Sequence, residues 1–297
     1  MGFQEIIASI NWEDESYPAY EDFAVLPFLV VFFPTVRFLL GRFVFEGITR
    51  RLVLGKEPIK AGAETDGTRK TLTKFKESAW KFVYFLSSEA LALSVTYNEP
   101  WFTSTRNYWI GPGEQVWPDQ KIKLKLKGLY MYAAGFYTYS IFALLFWETR
   151  RSDFGCRCPI IWQQFARVGS MVLALHDATD VFLETAKMSK YSGYDMLASI
   201  MFVLFALAWI IFRLIYFPFG SSTAHGNHKS ILTIDKDKHV EGPMYYYVFN
   251  SLLFTLFFLH VYWWVLIFRM LVKQIKSRGQ IGDDVRSDSE DEDEHED

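Results

Sequence analysis

Cysteine is nearly absent from the chain, which carries only Cys156 and Cys158 in 297 residues. A single C-x-C pair with no further cysteine and no neighbouring histidine excludes a disulfide framework and a zinc site. The N-terminal segment lacks the basic stretch and the small-residue cleavage site of a signal peptide, so we expect no cleaved leader. Mean hydropathy is only +0.06, so the whole-chain average gives no sign of a membrane protein.

The sequence contains long apolar runs separated by charged stretches. Each run approaches the ~20 residues that a helix needs to cross a hydrocarbon core about 30 Å thick. Lipid supplies no hydrogen-bond partners, so each run is predicted to be a helix that satisfies its own backbone. We therefore predict an all-α fold, a polytopic transmembrane helical bundle with spans at residues 23–41, 82–96, 128–147, 168–183, 196–219 and 244–272.

The basic residues predict how the chain is oriented in the membrane. Lysine and arginine collect on the cytoplasmic side, and residues 42–81 are rich in them. We expect that stretch in the cytosol and the N-terminus in the lumen, and Lys273 and Lys276 favour a cytosolic exit of the last span. These clusters are interpreted as topology determinants, not as nucleic-acid sites. The expected divisions are a lumenal segment 1–22, a first helix with a basic cytosolic loop 23–81, the main membrane domain 82–272 and a cytosolic tail 273–297.

The C-terminal tail is acidic, since residues 283–297 hold ten acidic residues against one arginine. Such a block repels itself and has little apolar surface to bury, so we predict that it is disordered. Ser287 and Ser289 each have a glutamate three positions later, which suits an acidophilic kinase, and we predict both as phosphorylation sites. Each phosphate would add roughly −1.5 to −2 charges.

Residues 97–127 interleave tryptophan and tyrosine with a Gly-Pro-Gly turn and alternating lysines. Amphipathic aromatic rings are enriched at membrane–water interfaces, and a lysine can bury its stem while its ammonium group stays in water. The pattern favours interfacial anchoring of this segment. A lid over a lipid entrance is the alternative.

Ionisable residues inside an apolar run mark a candidate site, because a charge at membrane depth is costly and by default faces the bundle interior. Within and just after the run 168–183, Asp177, Asp180 and Glu184 are spaced so that they share one helical face. Carboxylates packed in low dielectric cannot all ionise freely, which tunes an acid or a base toward neutral pH. The alternative is that they only pair with Arg150, Arg151 or Lys187 near the membrane surface.

Two long stretches carry most of the polar and aromatic motifs of the chain, MYAAGFYTYSIFALLFWETRRSDFG at residues 131–155 and RVGSMVLALHDATDVFLETAKMSKYSG at residues 167–193. They resemble the central motif of the ceramide synthases, the TLC-domain enzymes also called longevity-assurance proteins. The segments NEPWF and GPGEQVWPDQKIKLKLKG and the acidic tail are similar to the plant-type branch of the family. The resemblance covers most of residues 20–297.

The resemblance implies an endoplasmic reticulum membrane enzyme that joins a fatty acyl group from acyl-CoA to the amine of a sphingoid base. His176, Asp177 and Asp180 match the family's H-D-x-x-D run and are assigned catalytic roles, without a nucleophile role for His176. Substrate contacts are assigned to Arg150, Arg151 and Asp153. The thioester is already activated, so the reaction needs a base, an attacking amine and a stabilised oxyanion, but no metal and no cofactor. Sphingoid base, acyl-CoA and membrane lipid are the expected partners; a homodimer or a heterodimer with other ceramide synthases is left open.

One departure from the family pattern is large. In the family, WETRRSDFG leads into a span that opens with two adjacent histidines, which are expected to carry acyl transfer. This chain has no His-His pair, and residues 156–166 read CRCPIIWQQFA, a tract too short and too polar to cross a bilayer. We therefore expect an impaired ceramide synthase. A non-catalytic TLC protein that binds lipid or modulates a full-length partner is the first alternative, and a transporter with Asp177 and Asp180 on its pathway is the second. His260 is expected to serve helix packing.

The missing span also affects the predicted topology. Six spans would put both termini on the same side of the membrane. The two basic regions, however, both require the cytosol, and with a lumenal N-terminus this arrangement needs an odd number of spans. We expect residues 168–183 to resolve the conflict by staying out of the bilayer. That arrangement would leave His176 and Asp177 near the membrane surface and the tail in the cytosol.

Overall fold

The computed structural model describes residues 10–54, 66–103, 105–108, 115, 120–146, 166–219 and 243–276. These residues are mostly helical, and the predicted all-α bundle is confirmed. The helices are α1 (Leu26–Leu40), α2 (Glu46–Leu54), α3 (Asp66–Thr96), the short α4 (Pro100–Thr103), α5 (Leu124–Phe146), α6 (Ala166–Tyr191), α7 (Asp195–Ala208), the one-turn α8 (Phe217–Phe219) and α9 (Pro243–Lys276).

π-Helical segments join four of these helices into two longer rods. Gly41–Phe45 joins α1 to α2, and Trp209–Tyr216 joins α7 to α8. Three helical stretches of the described chain are long and apolar enough to cross a membrane, namely Tyr20–Val53, Asp195–Tyr216 and Ser251–Lys276. The chain is therefore a multi-pass membrane protein.

Residues 42–81 were predicted as a basic loop after the first span, and the described part of that stretch is helical instead. The charges that suggest a loop are paired along and between helices. Glu46 accepts a hydrogen bond from Arg50, one turn later, at 2.8 Å, and another from Lys76 of α3. Because i,i+4 ion pairs stabilise a helix, the helical rod continues past the apolar run into the basic segment.

A two-stranded sheet marks one end of the bundle. β1 (Glu15–Ser16) pairs antiparallel with β2 (Ile122–Lys123), which brings the N-terminal segment to the start of α5. The end of α3 reaches the same place, because Glu99 pairs with Lys123 at 3.0 Å. The start of α6 is there as well, since the Tyr130 hydroxyl donates to the Ala166 carbonyl at 2.6 Å. We call this the sheet end.

The opposite end collects basic residues, and we call it the basic end. Ala143, late in α5, packs there with Phe45 of the first rod and Phe75 of early α3. The turn between α6 and α7 lies at this end, because Ala186 of late α6 packs with Phe202 of early α7 and with Ile267 of late α9. The α9 helix therefore ends at the basic end with Lys273 and Lys276.

The two ends fix the path of the chain. The α5 helix runs from the sheet end to the basic end, and α6 starts again at the sheet end. The described residues contain six long helical rods. The start of α3 and the C-terminus of α9 both lie at the basic end of the bundle, so both basic regions can lie in the cytosol.

The α6 helix lies among the described helices, packed against α3 and α7. Neighbouring helices supply partners for its polar residues, as described below. It is not among the three stretches of the described chain that are long and apolar enough to cross a membrane. The expectation that residues 168–183 stay out of the bilayer, with His176 and Asp177 near its surface, therefore stays a prediction.

The path predicts the sidedness of a glycosylation acceptor added at each terminus. With the basic end in the cytosol, an acceptor placed after Asp297 should remain unglycosylated in microsomes, and one inserted near Trp12 should be glycosylated. An acceptor in the α6–α7 turn at Gly193 should also remain unglycosylated. Glycosylation after Asp297 would contradict the path described here.

Gly135 of α5 allows the closest approach between α5 and α1. A Cβ added at Gly135 would lie 2.6 Å from the Leu29 Cβ, whereas one added at Gly128 of the same helix would meet nothing within 4 Å. We expect Gly135→Ala to destabilise the protein by about 1–3 kcal/mol through overpacking, and Gly128→Ala to stabilise it by up to about 1 kcal/mol through helix propensity. Thermal unfolding in detergent distinguishes the two, and equal shifts for both variants would contradict the close approach.

Candidate functional site

The α6 helix carries the candidate residues to the middle of the bundle. His176 and Asp177 are 4% and 1% exposed, and they lie roughly 15 Å along the helix axis from the sheet end. A π-helical segment, Trp209–Tyr216, packs beside them. Such i→i+5 segments are rare and frequently occur at functional sites.

His176 contacts a second histidine from another helix. Its Nε2 lies 2.7 Å from Nε2 of His260 on α9, and its Nδ1 lies 2.6 Å from the Val172 carbonyl oxygen. The Phe217 ring packs edge-on against both imidazoles. His260 is 2% exposed, so the two histidines form a buried pair.

The hydrogen bonds assign the neutral tautomers of this pair. A carbonyl oxygen only accepts, so Nδ1 of His176 carries a proton, and Nε2 of a neutral His176 is then an acceptor. His260 therefore donates from Nε2 to Nε2 of His176. A proton taken up on the His260 side can be passed to His176 along this bond, so the pair is suited to hold and move a proton.

Asp177 faces α3, whereas His176 faces α9, which carries His260. Its Oδ2 accepts a hydrogen bond from the Ser88 hydroxyl at 2.7 Å. Glu89, the next residue of α3, brings a second carboxylate close enough for the two charges to repel each other. A carboxylate this deeply buried needs hydrogen-bond donors or a cation, because its desolvation is costly.

Arg213 of the π-helical segment ties the site together. Its Nη2 donates to the His176 carbonyl at 2.9 Å, to the Thr179 hydroxyl at 2.6 Å and to Asp180 at 3.1 Å. The guanidinium also lies 3.9 Å from the Trp209 ring centroid. The Trp209 indole N–H in turn donates to the His260 carbonyl at 3.2 Å. Arg213 and Trp209 thus hold the backbone on both sides of the histidine pair.

The three acids of α6 have different partners. Asp177 bonds Ser88, Asp180 bonds Arg213, and Glu184 pairs with Lys187 at 2.8 Å. Pairing with a neighbouring basic residue describes Glu184, and Asp180 pairs with Arg213 of another helical segment. Asp177 follows His176 in the chain, and Asp180 shares Arg213 with the His176 carbonyl.

Several assigned residues lie outside the described part of the chain. They are the substrate-contact residues Arg150, Arg151 and Asp153 and the phosphorylation sites Ser287 and Ser289. Among the described residues, no three histidine, cysteine, aspartate or glutamate side chains come together in a way that could hold a metal ion.

Sequence reasoning missed the partners on other helices. His260 was interpreted as a packing residue, and Arg213 and Ser88 were not singled out. The signal for His260 and Arg213 was their position, since an ionisable residue inside an apolar run marks a site in the same way as Asp177. Ser88 gave no such signal, because serine is common in membrane helices.

Comparison with known proteins identifies the family. Residues 74–269 match the TLC domain. The chain is 60% identical to "Ceramide synthase 1 LOH3" of Arabidopsis thaliana over the whole of both chains. The chain belongs to the ceramide synthase family. It is also 62% identical to "ASC1-like protein 1" of Oryza sativa, over 98% of this chain and 97% of that one, which places it in the plant-type branch. Ceramide synthases are acyltransferases.

The comparison extends to animal ceramide synthases with less coverage. "Ceramide synthase 4" of Homo sapiens is 34% identical over 74% of this chain and 55% of its own length. The match to the Arabidopsis ceramide synthase runs over 309 positions, whereas this chain has 297 residues. At least 12 positions of that alignment therefore contain no residue of the present chain.

Proposed function

We propose that this chain is the helical scaffold of a sphingosine N-acyltransferase of the endoplasmic reticulum membrane, with acyl-CoA and a sphingoid base as substrates. The observation that supports it most is 60% identity over the full length of a named ceramide synthase. The buried cluster of His176, Asp177 and His260 lies inside the matched TLC domain. Both substrates are largely apolar, which suits a site inside a membrane bundle, and CoA can approach from the cytosol.

The proposed reaction needs no metal and no cofactor. The sphingoid ammonium loses a proton, the amine nitrogen forms a bond to the thioester carbonyl carbon, and the C–S bond breaks to release CoA. The amine proton has to leave during this step, and the histidine pair is suited to take it up. The buried Asp177 carboxylate is suited to attract the sphingoid ammonium before the proton leaves, because an opposite charge stabilises the charged form.

We further propose that this chain of 297 residues is impaired. The family's adjacent histidines are absent from its sequence, and at least 12 positions of the Arabidopsis relative have no counterpart. The sequence between α5 and α6 is the stretch in which the family is expected to carry its histidine span, and it contains no adjacent histidines. A chain with the scaffold but without that span is suited to bind lipid or to modulate a full-length partner, which is the second candidate function.

The substrate assignment is tested in microsomes from cells depleted of their own ceramide synthase. A version of the chain that carries the corresponding segment of the Arabidopsis relative should form ceramide only when acyl-CoA and a sphingoid base are both supplied. Product formed from a free fatty acid without CoA would contradict the assignment. Co-expression of the chain as given with the restored version tests the second candidate, since a modulator should change the rate per restored protein molecule.

A further inference from the structure

The hydroxyl side chains in the second half of α3 differ in where they donate their protons. Ser87 and Ser94 donate to carbonyls three residues earlier on the same helix, at 2.8 and 2.7 Å, and Thr96 donates to the carbonyl four residues earlier at 2.7 Å. Such a bond to the preceding turn is common for serine and threonine inside a helix. Ser88 donates instead to Oδ2 of Asp177 on α6, at 2.7 Å. Its hydroxyl has a single proton, and that proton is used on Asp177.

Ser88 and Asp177 meet where α3 packs against α6, and both are enclosed. Ser88 is 0% exposed and Asp177 is 1% exposed, so solvent does not reach the bond between them. Glu89, the next residue of α3, repels the Asp177 carboxylate, and this repulsion disfavours a charge on Asp177. A hydrogen bond to the charged form of a carboxylate favours that form. The Ser88 hydroxyl therefore offsets part of the cost of a buried charge at Asp177.

The same bond also orients the carboxylate. Asp177 has other interactions as well, and Ser88 is the donor that keeps its Oδ2 directed at α3. A carboxylate held through one oxygen has a fixed direction, and a reacting ligand gains from contacts in fixed positions. A sphingoid base is a 2-amino-1,3-diol whose amine is an ammonium at neutral pH. An oriented carboxylate would hold that ammonium in one place.

We propose that Ser88 is a positioning residue that orients Asp177 to bind the ammonium of the sphingoid base. This inference rests on the proposed function, because it takes the sphingoid base as the ligand. Since Ser88 acts through Asp177, its loss should weaken binding of the amine and should not affect a derivative that has no ammonium. A residue that only packs α3 against α6 would affect both ligands equally.

Photolabelling of the 297-residue chain in nanodiscs tests the proposal. The two probes are sphinganine with a diazirine in its alkyl chain and the N-acetyl derivative of the same molecule, which has no ammonium. Ser88→Ala should weaken the apparent affinity for the amine probe about tenfold, as expected when a hydrogen bond to a charged group is lost, and should leave labelling by the N-acetyl probe unchanged. Ser88→Cys keeps a weak donor and should lie between Ser88→Ala and the unchanged chain.

Thr96→Val is the matched control. Thr96 is also 0% exposed on α3, but its hydroxyl donates to its own helix. Thr96→Val removes a buried hydroxyl and keeps the shape of the side chain, so it should label with both probes like the unchanged chain. Equal affinities of Ser88→Ala and Thr96→Val for the amine probe would overturn the proposal.

A double substitution separates action through Asp177 from an independent effect. In a chain that carries Asp177→Asn, Ser88→Ala should cause no further loss of labelling by the amine probe. A further tenfold loss there, or an equal loss with the N-acetyl probe, would overturn the proposal and leave the sphingoid base as the substrate. If the amine probe gives no saturable labelling of the unchanged chain, the sphingoid base is contradicted as its ligand, and the role of Ser88 is overturned with it.

Discussion

Asp177→Asn, made in a chain that carries the corresponding segment of the Arabidopsis relative between Phe146 and Ala166, should lower ceramide formation at least about a hundredfold, the usual range for a group that assists proton transfer. Asparagine keeps the shape of the side chain and can still accept the Ser88 hydrogen bond, which is 2.7 Å long in the structure. The substitution therefore removes the charge and leaves the packing. Radiolabelled ceramide formed per unit of microsomal protein gives the rate.

The matched control for this change is Glu184→Gln. Glu184 is on the same helix, is also buried at 3% exposure, and is paired with Lys187 away from the histidine pair. Glu184→Gln should keep most of the ceramide-forming activity if the position of Asp177 next to His176 is what matters. It should lose as much activity as Asp177→Asn if every buried charge of α6 is required for folding. Asp180→Asn should also abolish acyl transfer, in part because Arg213 loses its carboxylate. Full activity in Asp177→Asn would remove its catalytic assignment.

Arg213→Met should lower the free energy of unfolding by about 3 kcal/mol, because removing one partner of a buried ion pair leaves the other uncompensated. The guanidinium joins Asp180, Thr179 and the His176 carbonyl. For a domain of this size that loss corresponds to a fall in the unfolding temperature of roughly 6 °C or more. Differential scanning fluorimetry in detergent measures it.

The double variant Arg213→Met with Asp180→Leu separates the ion pair from packing on Trp209. If the uncompensated carboxylate is the main cost, the double variant should recover a large part of the lost stability. If it is as unstable as Arg213→Met alone, the stacking of the guanidinium on Trp209 and its bonds to the backbone dominate instead. In the restored chain, both variants should form less ceramide, because Arg213 holds the backbone of His176.

The existence of the helices could be predicted from the sequence, because a long apolar run can satisfy its own backbone hydrogen bonds in lipid only as a helix. Helix limits could not, and the first rod shows why. The Glu46 carboxylate that suggests a loop is bonded to Lys76 of another helix, a pairing 30 residues away that no local pattern contains. Similarly, the polar residues of α6 suggested a segment at the membrane surface, but they have partners on α3 and on the segment Trp209–Tyr216.

The candidate site was predicted on one helix only. The spacing of Asp177 and Asp180 identified α6, because a shared helical face is a local property. The contact between His176 and His260 joins residues 84 positions apart, and only the packed bundle brings them to 2.7 Å.

The central claim is that this chain keeps the scaffold of a ceramide synthase and lacks the histidine span that carries acyl transfer. The most direct test compares ceramide formation by three proteins in the same microsomes: the chain as given, the chain with the corresponding segment of the Arabidopsis relative inserted between Phe146 and Ala166, and that restored chain with its two adjacent histidines replaced by alanine. We expect activity only in the second, at least about a hundredfold above the others. Ceramide formation by the chain as given at a rate close to that of the restored chain would contradict the claim.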